Sequence, residues 1–178
     1  MNTKQRLALA ATVTAVVAIV AGRNSSSVKK LLPTMSSKAM KRASVVRIVA
    51  DERPAPDPAK YWAEILQRSG QYPPHWCGAL VLYALRKAGL TTALWRVGSG
   101  FIYELKLPRT NDPQPGDVAY FNKFQHHALV AENLGDGTIV TYDGNGIRSA
   151  QFPQGEIGRH VRRKQDVTAF FSIDPLLK

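Results

Sequence analysis

The only cysteine of the 178-residue chain, Cys77, lies in the stretch QYPPHWCGALVLYALRKAGL, directly after a Pro-Pro turn. The apolar spacing predicts an amphipathic helix from about His75 to Ala88, and Gly89 is a residue type that stops helices. A helix N-terminus offers unpaired N–H groups and about half a positive charge, and both favour a thiolate over a thiol. Cys77 is therefore a candidate nucleophile, although a lone cysteine is more often a buried core residue.

A thiol nucleophile needs a base, and two adjacent histidines lie 49 and 50 residues downstream. The residues HALVAE predict a strand over 127–132 that begins with His127. We expect His127 to be the base, because the aliphatic run after it places it in register with the strand face. His126 would then point to the opposite face, since neighbours on a strand alternate. His126 and Trp76 are expected to line the substrate cleft.

The imidazole also needs an orienting acceptor, and the next predicted strand, 138–144, supplies two candidates. The turn ENLGDGT predicts a hairpin that brings this strand back beside the histidines. Counting back from that turn places Asp143 or Asn145, in the sequence TYDGNG, next to His127. The spacing leaves the choice between Asp143 and Asn145 open.

The elements that must position these residues come in the order helices first, strands afterwards. Asp57 as N-cap, followed by Pro58, predicts a helix that ends at Gly70, before the helix at Cys77. Short β-branched or aromatic runs then follow, separated by turn residues. We therefore predict an α+β fold. The predicted strands are 117–121, 127–132, 138–144 and 167–173.

Residues 23–56 are predicted to be a linker arm, because they are Ser-rich, then basic, then Pro-rich. Within this arm, the stretch 44–50 (SVVRIVA) suggests a short strand or a docking segment. Residues 1–50 carry nine Lys or Arg and no Asp or Glu, which leaves a net charge of only +2 for the rest of the chain. A near-neutral body argues against nucleic acid as its partner. We expect the basic arm to contact anionic membrane lipid or anionic wall polymer.

The segment 1–22 is predicted to be a secretory signal or a membrane anchor. Its apolar stretch, residues 7–22, spans about 24 Å as a helix, which is short of a bilayer core of about 30 Å. Seven positive charges follow this stretch before Asp51 and oppose its translocation, so the sequence leaves the orientation open. We expect an exported or membrane-tethered protein, with residues 57–178 as its folded domain.

The stretches WCGALVLYALRKAG, PQPGDVAYF, HHALVAE and YDGNG resemble the CHAP and NlpC-like families of cysteine amidases and endopeptidases, over about residues 57–173. The resemblance implies a papain-like fold, in which N-terminal helices pack on a small antiparallel sheet. It implies catalytic roles for Cys77, His127 and Asp143 or Asn145. Gln71, six residues before Cys77, matches the spacing of the oxyanion-hole Gln in papain-like enzymes, with the Cys77 N–H as second donor.

The resemblance also implies a function, hydrolysis of stem-peptide amide bonds in peptidoglycan, and requires no metal or organic cofactor. Phage and bacterial envelope hydrolases both fit this expectation, so the resemblance implies a protein of the cell envelope or periplasm, or of a phage particle. A rival of another class is a non-catalytic protein that binds the wall, or a membrane-anchored structural component of a phage particle or envelope machine. A third hypothesis is a cysteine protease that acts on proteins or isopeptides.

Overall fold

The structure is a computed structural model of the chain. It describes residues 36–67, 72–95, 101–121, 125–146 and 148–178. The predictions for the apolar stretch 7–22 and for Gln71 lie outside these residues. Within the described ranges, no helix combines the length and the apolar character needed to cross a membrane.

Four α-helices are present among the described residues: α1 (Ser37–Asp51), α2 (Pro58–Leu66), α3 (Cys77–Lys87) and α4 (Phe101–Glu104). The predicted start of α2 is confirmed, because Asp57 accepts a hydrogen bond from the Lys60 backbone N–H at 3.1 Å and Pro58 occupies the first helical position. The helix ends earlier than predicted, at Leu66, where Gln67 adopts a left-handed conformation.

The predicted linker 23–56 is wrong over Ser37–Asp51, where α1 forms and packs on α3. Val45 and Val49, one helical turn apart, are fully buried on the face of α1 that meets the core. The stretch 44–50 is therefore helix, neither a strand nor a separate docking segment. The Ser, Lys and Arg residues that suggested a linker are largely the solvent-exposed side of this helix, and the compact unit begins at Ser37.

The strands are β1 (Arg109–Thr110), β2 (Val118–Phe121), β3 (His126–Asn133), β4 (Thr138–Asp143), β5 (Gly158–Arg163) and β6 (Ala169–Phe171). They form one antiparallel sheet in the order β1-β6-β2-β3-β4-β5, which confirms the predicted α+β class. β5 is not among the predicted strands, because its sequence GRHVRR lacks an apolar face.

The register assigns each residue to one of two faces. Val118 pairs with Leu129, and both belong to the large core that the helices build against one face. Ala119 pairs with Ala128, and both belong to a smaller buried cluster on the other face. Asp143 is the partner of Ala128, so its side chain lies on that second face.

Candidate active site

Cys77 is the first residue of α3, so its thiol lies at the positive end of the helix dipole. The residue before it, Trp76, occupies the N-cap position and makes no side-chain cap. Cys77 is 7% exposed, and the rest of the helix as far as Leu85 is buried. The predicted placement of the cysteine at a helix start is confirmed.

Two glycines let the start of α3 approach the sheet closely. A Cβ added to Gly144, directly after β4, would lie 2.6 Å from the Trp76 ring. A Cβ added to Gly78 would lie 2.7 Å from the Trp95 ring and 3.2 Å from Nδ1 of His127. Side chains at these two positions would therefore push the cysteine away from β3 and β4.

The imidazole that meets a carboxylate is that of His126. Its Nε2 lies 3.0 Å from Oδ2 of Asp143, a residue that is 3% exposed. The other carboxylate oxygen, Oδ1, accepts a hydrogen bond from the Thr141 hydroxyl at 2.6 Å. Arg162 also donates to Oδ2 from its Nη2. Asp143 is thus held from three sides, and one of its partners is a titratable ring.

The electrostatics favour an ion pair between Cys77 and His126. Burial raises the pKa of the thiol, but hydrogen bonds and charge interactions with His126 and His127 outweigh it and lower that pKa from 9.0 to about 5. Burial lowers the pKa of His126, but its hydrogen bonds with Asp143 and Cys77 outweigh it and raise that pKa from 6.5 to about 9. Near neutral pH the pair is therefore thiolate and imidazolium.

Asp143 stays ionised in this surrounding. Burial raises the pKa of its carboxyl, but the hydrogen bonds from His126 and Thr141 and the charge of Arg162 lower it below 3.8. A permanent carboxylate beside His126 fixes the orientation of the ring and stabilises its protonated form.

The prediction that the orienting group lies beside His127 is wrong, and the cause is a β-bulge. The pairing of β3 with β4 shifts by one residue between Val130 and Glu132. A one-residue shift exchanges the two faces of the strand for every residue beyond it. Without the bulge, Asp143 would share a face with His127; with it, Asp143 shares a face with His126. The predicted alternation of the two histidines is correct, but their assignment to faces is reversed.

His127 lies instead among aromatic rings. Its ring centroid is 5.2 Å from those of Phe101 and Tyr120 and 6.4 Å from that of Trp95. It is 9% exposed and remains close enough to Cys77 to lower the pKa of the thiol. His126 was expected to line the cleft, but it makes the contact with the orienting acid that was predicted for His127. His127 packs beneath the start of α3.

The remaining predicted site residues are Asn145, Trp76 and Gln71. Asn145 does not orient either histidine of β3; its Nδ2 lies 3.3 Å from Nδ1 of His75. Trp76 is 1% exposed, and its Nε1 donates to the Gln154 carbonyl at 2.8 Å, so it is chiefly a core residue. Gln71 lies outside the described residues.

One residue of the site was missed. Arg162, in the basic sequence RHVRRK, is not among the predicted site residues. Its side chain reaches Asp143 and Thr141, with Nε donating to the Thr141 hydroxyl at 3.1 Å. Recognition of β5 as a strand paired with β4 would have found it, since positions two apart on a strand share a face.

A groove of about 630 Å³ lies beside Trp76. Proline and aromatic side chains make up much of its wall, together with Arg148 and Gln154. Among the residues that line it, Trp76 is the sequence neighbour of Cys77, but neither Cys77 nor His126 contributes to the wall. The groove is therefore not the site of the Cys77–His126 pair.

Comparisons with known proteins add no relative. No protein-family model matches the chain, and neither the curated proteins nor the solved structures include a match.

Proposed function

We propose that the chain is a cysteine hydrolase of papain-like fold, an amidase or endopeptidase that cleaves stem-peptide amide bonds in peptidoglycan. The observation that carries the proposal is the position of His126, whose Nε2 lies 3.0 Å from the Asp143 carboxylate and whose ring lowers the pKa of the Cys77 thiol. A nucleophile, a base and an orienting acid in contact form the arrangement that thiol hydrolases require.

The geometry supports a two-step reaction in which Cys77 is the nucleophile. Its thiolate adds to the carbonyl carbon of an amide, and the positive end of α3 stabilises the negative charge that develops on the oxygen. His126 then donates its proton to the amine nitrogen as the C–N bond breaks, which leaves the acyl group on sulfur. Water loses a proton to His126 and hydrolyses this thioester, releasing a carboxylic acid and restoring the ion pair.

The fold assignment and the substrate rest on different grounds. The papain-like fold is supported by the order of the parts, with the cysteine at a helix start, the histidine on a strand and the acid on the next strand. The substrate is inferred from the resemblance to CHAP and NlpC-like hydrolases in the stretches around Cys77, Gly116, His126 and Asp143. The catalytic role assigned here to His126 replaces the one expected for His127.

Hydrolysis of purified sacculi tests the proposal. We expect the full chain to release muropeptides that carry new amine and carboxyl ends, identified by mass spectrometry. Cys77→Ala and Cys77→Ser should lose this activity by about 10³-fold or more, because both remove the nucleophile. Circular dichroism spectra of the two variants should match that of the parent chain.

Two outcomes would contradict different parts of the proposal. Equal release of muropeptides by the parent chain and by Cys77→Ala would remove the nucleophile. Cysteine-dependent cleavage of casein with intact sacculi would keep the mechanism but replace the wall substrate by protein.

A further inference from the structure

One oxygen of the Asp143 carboxylate contacts two side chains that can carry a positive charge. Oδ2 is contacted by Nε2 of His126 and by Nη2 of Arg162, while Oδ1 accepts from Thr141. A guanidinium does not lose its proton in proteins, whereas an imidazole gains and loses one. The permanent cation therefore stands beside the titratable one.

The guanidinium of Arg162 is held in place rather than free in solvent. Its Nε donates to the Thr141 hydroxyl at 3.1 Å, and its carbon lies 5.0 Å from the centre of the Phe121 ring. The Phe121 ring lies in turn 5.9 Å from the ring of His126. The side chain of Arg162 is 30% exposed, whereas that of Asp143 is 4% exposed. Two donor atoms and a stacked ring fix its charge next to the imidazole.

We propose that Arg162 is a positioning residue which neutralises Asp143, so that His126 is held by an acceptor without net charge. An unpaired carboxylate would bind the imidazolium so strongly that His126 became a poor acid toward the leaving amine. With Arg162 in place, Asp143 still orients the ring, but the net charge of the Asp143–Arg162 pair is zero. The proton on His126 is thus easier to transfer.

The elements around His126 carry other titratable groups. Cys77 belongs to α3, His127 follows His126 on β3, and His75 precedes α3 and contacts Asn145. On β5, the ring of His160 lies over Gly158, the register partner of Asp143. Within the described ranges, Arg162 is the group of permanent positive charge that contacts Asp143.

The proposal rests on the Cys77–His126 pair of the proposed function, but its test needs no substrate. Since the chain has one cysteine, uptake of iodoacetamide reports that site alone. The thiolate forms as pH rises through about 5, the lowered pKa of Cys77. The imidazolium is lost as pH rises through about 9, the raised pKa of His126. Plots of alkylation rate against pH should therefore show two steps, which belong to the coupled pair.

The alkaline step is the readout for Arg162. In Arg162→Gln the uncompensated carboxylate should move this step upward by about one pH unit. In Asp143→Asn the uncompensated guanidinium should move it downward by a similar amount. In the double variant both charges are gone, so the step should return to within about half a unit of the parent. Arg162→Lys, which keeps the charge, should also remain close to the parent.

Arg159→Gln is the matched control, since it removes the same charge from the opposite face of β5 and should leave both steps in place. A purely structural role for Arg162 predicts a lower melting temperature with unmoved steps, and that result would overturn the proposal. Displacement of both single variants in the same direction would also overturn it. Normal alkylation steps without sacculus hydrolysis would refute the proposed function alone.

Discussion

Two buried aspartates of this protein each bind an arginine, and only one of them belongs to the candidate active site. Asp117 accepts from Nη1 of Arg42 at 2.8 Å, from the Ile173 backbone N–H at 3.0 Å and from the Gln114 backbone N–H at 2.8 Å. Asp143 accepts from Arg162 and Thr141 and contacts His126. Both are at most 3% exposed.

The difference lies in the partners. Every donor to Asp117 keeps its proton at all pH values at which proteins fold, so this carboxylate is a fixed structural anchor. Arg42 also contacts the Pro115 carbonyl and Asp174, and it thereby ties α1 to the turn before β2 and to the C-terminal segment. Asp143 contacts the titratable ring of His126, which also lowers the pKa of the Cys77 thiol. Chemistry depends on the titratable partner, since residue type and burial are alike at the two sites.

The largest expected effect separates the two histidines. His126→Ala should lower the rate of hydrolysis by about 10³-fold or more, because it removes the group that carries the proton. His127→Phe keeps an aromatic ring among Phe101 and Tyr120 and loses a hydrogen bond to Cys77. The rate of hydrolysis by His127→Phe should fall by about tenfold or less, the effect of losing one hydrogen bond. Initial rates on sacculi, normalised to folded protein, measure both. The reverse order of losses would return the role of base to His127.

Local signals predicted several elements, because their causes are local. The Asp57 cap, the apolar spacing of α3 and the ENLGDGT turn each depend on a few neighbouring residues. The cysteine at the helix start and the acid on the following strand came from the same kind of pattern.

The missed features depend on contacts between distant residues. α1 is a helix whose buried valines meet α3, and its composition alone resembled that of a linker. β5 is stabilised by pairing with β4 in spite of its basic sequence. The bulge between Val130 and Glu132 decides which histidine meets Asp143, and a shift of one residue in a register leaves no periodic trace in the sequence.

The second largest effect concerns Asp117, the aspartate with a structural role, and the stability of the fold. Arg42→Met should lower the free energy of unfolding by about 3 kcal/mol, because it leaves the carboxylate of Asp117 buried without its cation. Urea denaturation measures the change. Arg47→Met, on an 83% exposed side chain of the same helix, is the control and should cost less than about 0.5 kcal/mol. The activity of folded Arg42→Met should equal that of the parent, and a specific loss of activity would break the division between the two aspartates.

The smallest effect concerns the close approach that brings the two parts of the site together. In Gly144→Ala the new methyl group would lie 2.6 Å from the Trp76 ring, which is fixed by its bond to the Gln154 carbonyl. Relief of this overlap should cost about 1–2 kcal/mol of folding free energy. It should also slow alkylation at pH 7, because Gly144 follows Asp143 directly and Trp76 precedes Cys77.

Trp76→Phe removes the ring atoms that the methyl group meets, so it is the matched partner for a double-mutant cycle. The Gly144→Ala/Trp76→Phe variant should be destabilised by less than the sum of the two single variants, with alkylation partly restored. Additive losses would mean that the methyl group is accommodated elsewhere. The approach of α3 to β4 would then not depend on the absence of a side chain at Gly144. The interaction of the thiol with His126 would have to be maintained by β3 alone.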